Sequence, residues 1–286
     1  MKWFCPRCQR TRTAGFECSH ARAIPKSMDL RSIATAIPKM ALTVLSVVLI
    51  AACGAETADI TTTTEEPGPG DPIPITFDFQ NGSDGWASDL SDYSEETRPE
   101  DVLTQTGESP PGIDDESGYF RLAASNRSDD LFHYMHRLLG EQADFVPNTP
   151  YRIDFRVEAA SNAPSNCAGI GGAPGESVWL KVGATTIEPV PIMEDGQTRL
   201  NVDKGNQSQG GEDAQVAGVI ANGIPCEEAL EADSPYAMVT WEETLDELVS
   251  TDDEGRLWLF VGVDSGFEGR TDLYYDTLEV VLTPQG

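Results

Sequence analysis

Arg152-Ile-Asp-Phe-Arg-Val-Glu158 alternates without a break. Ile153, Phe155 and Val157 fall on one side of an extended chain and the charged residues on the other, because successive side chains of a strand point to opposite faces. This is the signature of a half-buried antiparallel strand. Arg256-Leu-Trp-Leu-Phe-Val-Gly-Val263 is continuous and apolar instead, which predicts a central strand covered on both faces.

Further short segments alternate or are rich in β-branched and aromatic residues, and Gly, Pro, Asn and Asp bound them. They are 76–79, 118–123, 130–138, 151–159, 177–182, 198–202, 215–220, 236–242 and 273–282. Helical periodicity is not sustained; one or two turns are expected at 227–232 and 245–249. About ten strands with long loops predict an all-β, two-sheet antiparallel sandwich over residues 75–286. Five Trp, seven Tyr and ten Phe supply material for its core.

The charge is uneven. The chain carries a net −29, yet residues 1–53 hold eight Lys/Arg and two Asp/Glu, and the remaining 233 hold 11 and 46. The acidic body excludes nucleic-acid binding through a broad basic face. The basic front has the order of a targeting segment. Lys39 precedes the apolar run 41–50, and Ala51-Ala52-Cys53 follows it. Ten apolar residues are too few to span a bilayer.

Leu49-Ile50-Ala51-Ala52-Cys53 resembles the lipobox of bacterial lipoproteins. The resemblance implies a signal peptide at 28–52, cleavage before Cys53 and acylation of Cys53, hence a membrane partner through the lipid anchor. With Gly54 next, it further implies an exported cell-envelope protein, at the outer membrane in a Gram-negative cell. Residues 1–27 lie upstream of a normal leader beginning at Met28. They read as an extension from a mis-assigned start, or as a small zinc knuckle on Cys5, Cys8, Cys18 and His20, which have the right donor types for tetrahedral zinc. Residues 53–74, rich in Thr, Pro, Gly and acid, read as a disordered tether. Cys167 and Cys226 are the two cysteines left in the body, and a disulfide between them is expected in an oxidising compartment.

The two ends of the body carry a second resemblance. Phe77-Asp-Phe-Gln-Asn-Gly-Ser-Asp-Gly-Trp86 and Leu273-Tyr-Tyr-Asp276-Thr-Leu-Glu-Val-Val281 look like the first and last strands of jelly-roll carbohydrate-binding modules and their galactose-binding-like relatives. That resemblance implies a jelly-roll sandwich, a glycan ligand and a structural Ca²⁺ at this position, with Asp78 and Asp276 as its ligands through hard carboxylate oxygens. Four inner stretches, 128–132, 160–166, 169–177 and 203–211, resemble uncharacterised secreted bacterial proteins that bring no activity with them.

Several constellations carry residue types suited to chemistry. Gly169-Ile-Gly-Gly-Ala-Pro-Gly175 lacks the Lys-Ser/Thr of a phosphate loop and reads as a plain loop. His133 and His136 point to opposite faces of a strand, so a shared metal is not expected. Asp264-Ser265-Gly266 has no base in a family-like context and reads as a turn. Glu176, Glu188 and Glu268 are indistinguishable from an acidic surface. The polar loop with Asn201, Asp203, Asn206 and Gln207 offers groups for sugar hydroxyls, and Trp86, among glycines and polar residues, is the aromatic expected at the surface. The expectation is a non-enzymatic envelope protein that binds a glycan or another extracytoplasmic ligand. The alternatives are an envelope interaction protein without a sugar site, and a glycan-acting hydrolase using carboxylates.

Overall fold

A computed structural model describes residues 70–113, 117–140, 145–231 and 234–286. Its strands are, in chain order, β1 (Ile73–Phe77), β2 (Ala87–Ser91), β3 (Tyr93–Ser94), β4 (Glu100–Thr106), β5 (Phe120–Ser125), β6 (Leu131–Leu139), β7 (Pro150–Ser161) and β8 (Val178–Thr185). There follow β9 (Pro191–Glu194), β10 (Gln197–Leu200), β11 (Ala214–Val219), a short helix α1 (Cys226–Glu231), β12 (Ala237–Thr244), β13 (Val249–Ser250), β14 (Leu257–Ser265) and β15 (Arg270–Pro284).

These strands form two antiparallel sheets that pack as a sandwich. Sheet A runs β12-β7-β15-β5-β4, with β1 also paired to β15 and β13 to β7. Sheet B runs β11-β8-β14-β6-β2. A small third sheet, β3-β10-β9, lies apart from both ladders. The alternating stretch at 152–158 is the middle of β7, flanked by β12 and β15. The apolar stretch at 256–263 is β14, the centre of sheet B between β8 and β6. Its two apolar faces have separate uses. Leu257, Leu259, Val261 and Val263 join Ile153, Val157, Leu278 and Val280 in the main core between the sheets. Phe260 points outward and packs with Phe132, Tyr134 and Val202 in a second cluster. Fully burying each such large side chain contributes roughly 1.5–3 kcal/mol. Gly183 makes room for this second layer, because a Cβ there would lie 2.3 Å from the Phe260 ring.

The expected turn of helix at 227–232 corresponds to α1, but 245–249 is not helical: Leu245 donates its N–H to the Ile153 carbonyl and the chain enters β13 at Val249. Asp264-Ser265, read as a turn, completes β14 instead, opposite Trp179 and Val178 of β8. Residues 1–69, which hold the expected signal segment, Cys53, most of the expected tether and the four candidate zinc ligands, lie outside the described residues.

Candidate functional site: a disulfide-braced cleft at the end of sheet A

The residues singled out in the sequence do not meet in one place. Trp86 is the clearest correction. It is 3% exposed, and its indole packs edge-on against Phe77 with ring centroids 5.3 Å apart. Tight turns at Gly82 and Gly85, both at positive φ, swing the ring inward. Polar neighbours along the chain therefore do not describe its surroundings, and it offers no face for stacking.

The 201–207 loop is also spent on the fold. Asn201 accepts from the Val190 N–H and donates to the Glu188 carbonyl. Asp203 accepts from the N–H groups of Gly205 and Glu212. The backbone of Gln207 donates to Asp264 and its amide to the Asp129 carbonyl. Asn206 closes a tight turn with Gln209 through its backbone and leaves its side chain exposed. The loop is a cover for sheet B, not a row of free hydrogen-bonding groups.

Asp78 and Asp276 lie just past the Phe77–Leu278 pairing of β1 with β15. Asp78 accepts the Gln80 N–H in a local turn. Among the described residues no group of three or more His, Cys, Asp or Glu is arranged to hold a metal ion.

Cys167 and Cys226 are bonded, with Cα atoms 5.1 Å apart. The bridge ties the β7–β8 loop to α1 and forms part of the wall of a cleft of about 290 Å³. Phe267, Leu230 and Pro164 give the cleft apolar surface, while Asn162, Arg270 and Asp272 give it polar groups. Its walls are held from several sides. Asn126 donates to the carbonyls of Ser265 and Phe267, fixing the β14–β15 turn that presents Phe267. Asn222 donates to the carbonyls of Ser161 and Pro235 and holds the segment leading to α1. Thr271 also lines the cleft, and its hydroxyl is buried without a partner.

Asp272 connects the cleft to the outer face of sheet A. It accepts two hydrogen bonds from Arg121, at 2.9 and 2.7 Å, and one from Arg270 at 3.2 Å. The Arg121 guanidinium lies 4.6 Å from the centre of the Tyr274 ring, and Tyr236 packs edge-on against the same ring. Asp272 raises the pKa of Arg121, and burial pushes the Tyr236 hydroxyl up. Arg121 thus stays charged and the Tyr236 hydroxyl neutral across the neutral range. Further along the same sheet face lies a groove of about 520 Å³ with Asp154, Arg156, Glu242, Thr244 and Glu279 on its walls. It has no aromatic side chain apart from Phe155, which packs into the core.

The remaining candidates keep to structural roles. His133 and His136 are both buried but on opposite faces of β6, His136 on the outer face of sheet B beside Trp258, so the two do not share a site. The Ser265 hydroxyl donates to the Phe267 carbonyl. Glu176 accepts the Asn166 N–H. Sequence reading missed Phe267, Asn162 and Arg270. The one available signal was the cysteine pair, which marks the two segments that close the cleft.

No family model matches the chain, and no curated protein matches it. It is similar to several solved β-sandwiches. One is a carbohydrate-binding module of the β-sandwich superfamily with promiscuous specificity: 9% identity, TM-score 0.32, 71% of this chain covered. The chain spans 57% of that chain's length. A second is the CBM22-1 xylan-binding domain of Paenibacillus barcinonensis Xyn10C: 10% identity, TM-score 0.33, 76% of this chain and 97% of that one. A third is the mannan-recognising module TmCBM27: 9% identity, TM-score 0.35, 76% and 99%. Likeness at this level does not transfer a ligand. The class stands on the strand topology itself: an all-β, two-sheet antiparallel sandwich.

Proposed function

We propose that this chain is a non-catalytic binding protein of the bacterial cell envelope, held by a lipid at Cys53, whose sandwich recognises a glycan in the cleft beside the disulfide. The observation that carries the reading is the composition of the cleft: Phe267 and Leu230 beside Asn162 and the Arg270–Asp272 pair. An aromatic ring suits the apolar face of a sugar, and an amide with an ion pair both donates to and accepts from its hydroxyls.

The test is a glycan array probed with the whole exported protein, in calcium and again in EDTA. Phe267→Ala and Asn162→Ala should each weaken binding about tenfold or more, with the unfolding transition still cooperative. A folded sample that binds nothing would remove the glycan reading. Leu230, 72% exposed at the cleft wall, favours in that case a protein partner docking there. Anchoring is tested separately by radiolabelled palmitate. Label on the wild type and none on Cys53→Ser supports it; an unlabelled wild type sinks it.

A further inference from the structure

The outer face of sheet B holds a polar cluster that the cleft does not use. Phe132, Tyr134 and Phe260 make an apolar floor, and Val202 covers it. Set into this layer are Lys181, Lys204, Asp92 and Asp264, with side chains 0–8% exposed. The Lys204 ammonium lies 2.7 Å from Oδ2 of Asp264 and 3.0 Å from Oδ2 of Asp92. Lys181 lies 3.2 Å from the same Asp264 oxygen, and the Gln207 N–H donates to it at 2.8 Å. The other oxygen of Asp264, Oδ1, is buried with no partner. Buried charges and an unpaired buried acceptor each carry a desolvation cost.

We propose that Lys204 and Asp264 condense into an intramolecular isopeptide bond. The bond that forms joins Nζ of Lys204 to Cγ of Asp264. The bond that breaks is Cγ–Oδ1, and that oxygen departs as water. The ammonium gives up two protons and the departing oxygen takes up two, so no oxidant or reductant is needed. Asp92 is placed to receive a proton from Nζ and pass it on. Lys181 and the Gln207 N–H hold Oδ2, where charge develops in the tetrahedral intermediate and which becomes the amide oxygen. The oxygen lost is the one without a partner, and two buried charges vanish with it. A pair held this close reacts as an intramolecular system.

The bond would staple the loop after β10 to β14, 60 residues further on. The experiment is peptide mapping of the full chain, reduced, denatured and cut after glutamate. Lys204 then lies in peptide 195–212 and Asp264 in peptide 255–268. The expected result is one linked species, lighter by one water than the two peptides together, with fragments placing the link at Lys204 and Asp264. Lys204→Arg keeps the positive charge but has no amine to acylate, and should yield the two peptides separately. Separate unmodified peptides from the wild type overturn the proposal and leave a buried salt bridge. A link at Lys181, or a water lost within one peptide, overturns it equally.

Discussion

Arg121 and Asp272, 151 residues apart in the chain, meet in a two-pronged ion pair that joins β5 to β15 beside the cleft. The Asp272 side chain is 6% exposed and Arg121's is 21% exposed. Removing the cation leaves a buried carboxylate with Arg270 as its remaining charged partner. Arg121→Ala should therefore cost about 2–4 kcal/mol in denaturant unfolding. Arg152→Ala, on the exposed part of the same sheet, should cost less than about 1 kcal/mol. Equal losses would mean that burial does not set the strength of these pairs.

The Cys167–Cys226 bond closes a separation of 59 residues. Restricting the unfolded chain over that length stabilises by about 2–4 kcal/mol. Cys167→Ser/Cys226→Ser should lower stability by that amount and loosen the cleft as well. Faster amide exchange in 162–177 and 220–231, with β14 unchanged, is the pattern expected. Exchange that rises evenly across both sheets would argue against a local brace.

Stability should fall on mild acidification through His133. Burial pushes this imidazole down to about 4, from an ordinary 6.5. The unfolded chain thus takes up a proton at higher pH than the folded one. The contribution is fully present above about 6.5 and is lost as pH falls toward about 4, on the order of 3 kcal/mol. Asp130 acts in the opposite sense, because its raised pKa favours the folded state at lower pH and that contribution fades as pH rises through about 6. His133→Gln should flatten the acid limb of a plot of unfolding free energy against pH, and Asp130→Asn should steepen it. No change in slope for His133→Gln would show that this imidazole is not the group involved.

Trp86 serves the core, so its replacement should act on stability. Trp86→Ala should cost about 3–5 kcal/mol. Trp86→Phe should cost much less, since the indole N–H has no partner to lose. Calorimetry checks both. A Trp86→Ala protein that unfolds at the wild-type temperature would contradict the packing against Phe77.

The ten strand segments read from alternation and apolar runs all fall on strands, and the reason is local. β7 shows its two faces residue by residue, and β14 shows that both of its faces are covered. β2, β3, β4, β9 and β13 were not legible. Ala87-Ser-Asp-Leu-Ser91 and Glu100-Asp-Val-Leu-Thr-Gln-Thr106 lie at sheet edges and carry mostly polar side chains, so no periodicity marks them.

The all-β class, the central strands and the cysteine partners are legible in the order of residues alone, because each follows from residue type at short range or from a small count. What lies against each face is set by packing between distant segments. A glycine-rich turn sent Trp86 inward. A loop that looked available spends its amides on sheet B. Asp264, at what read as a turn, became the centre of a buried charge cluster with Lys181 and Lys204. In each case the environment is made by residues tens of positions away, and neither periodicity nor composition records which distant segment will arrive to cover a side chain.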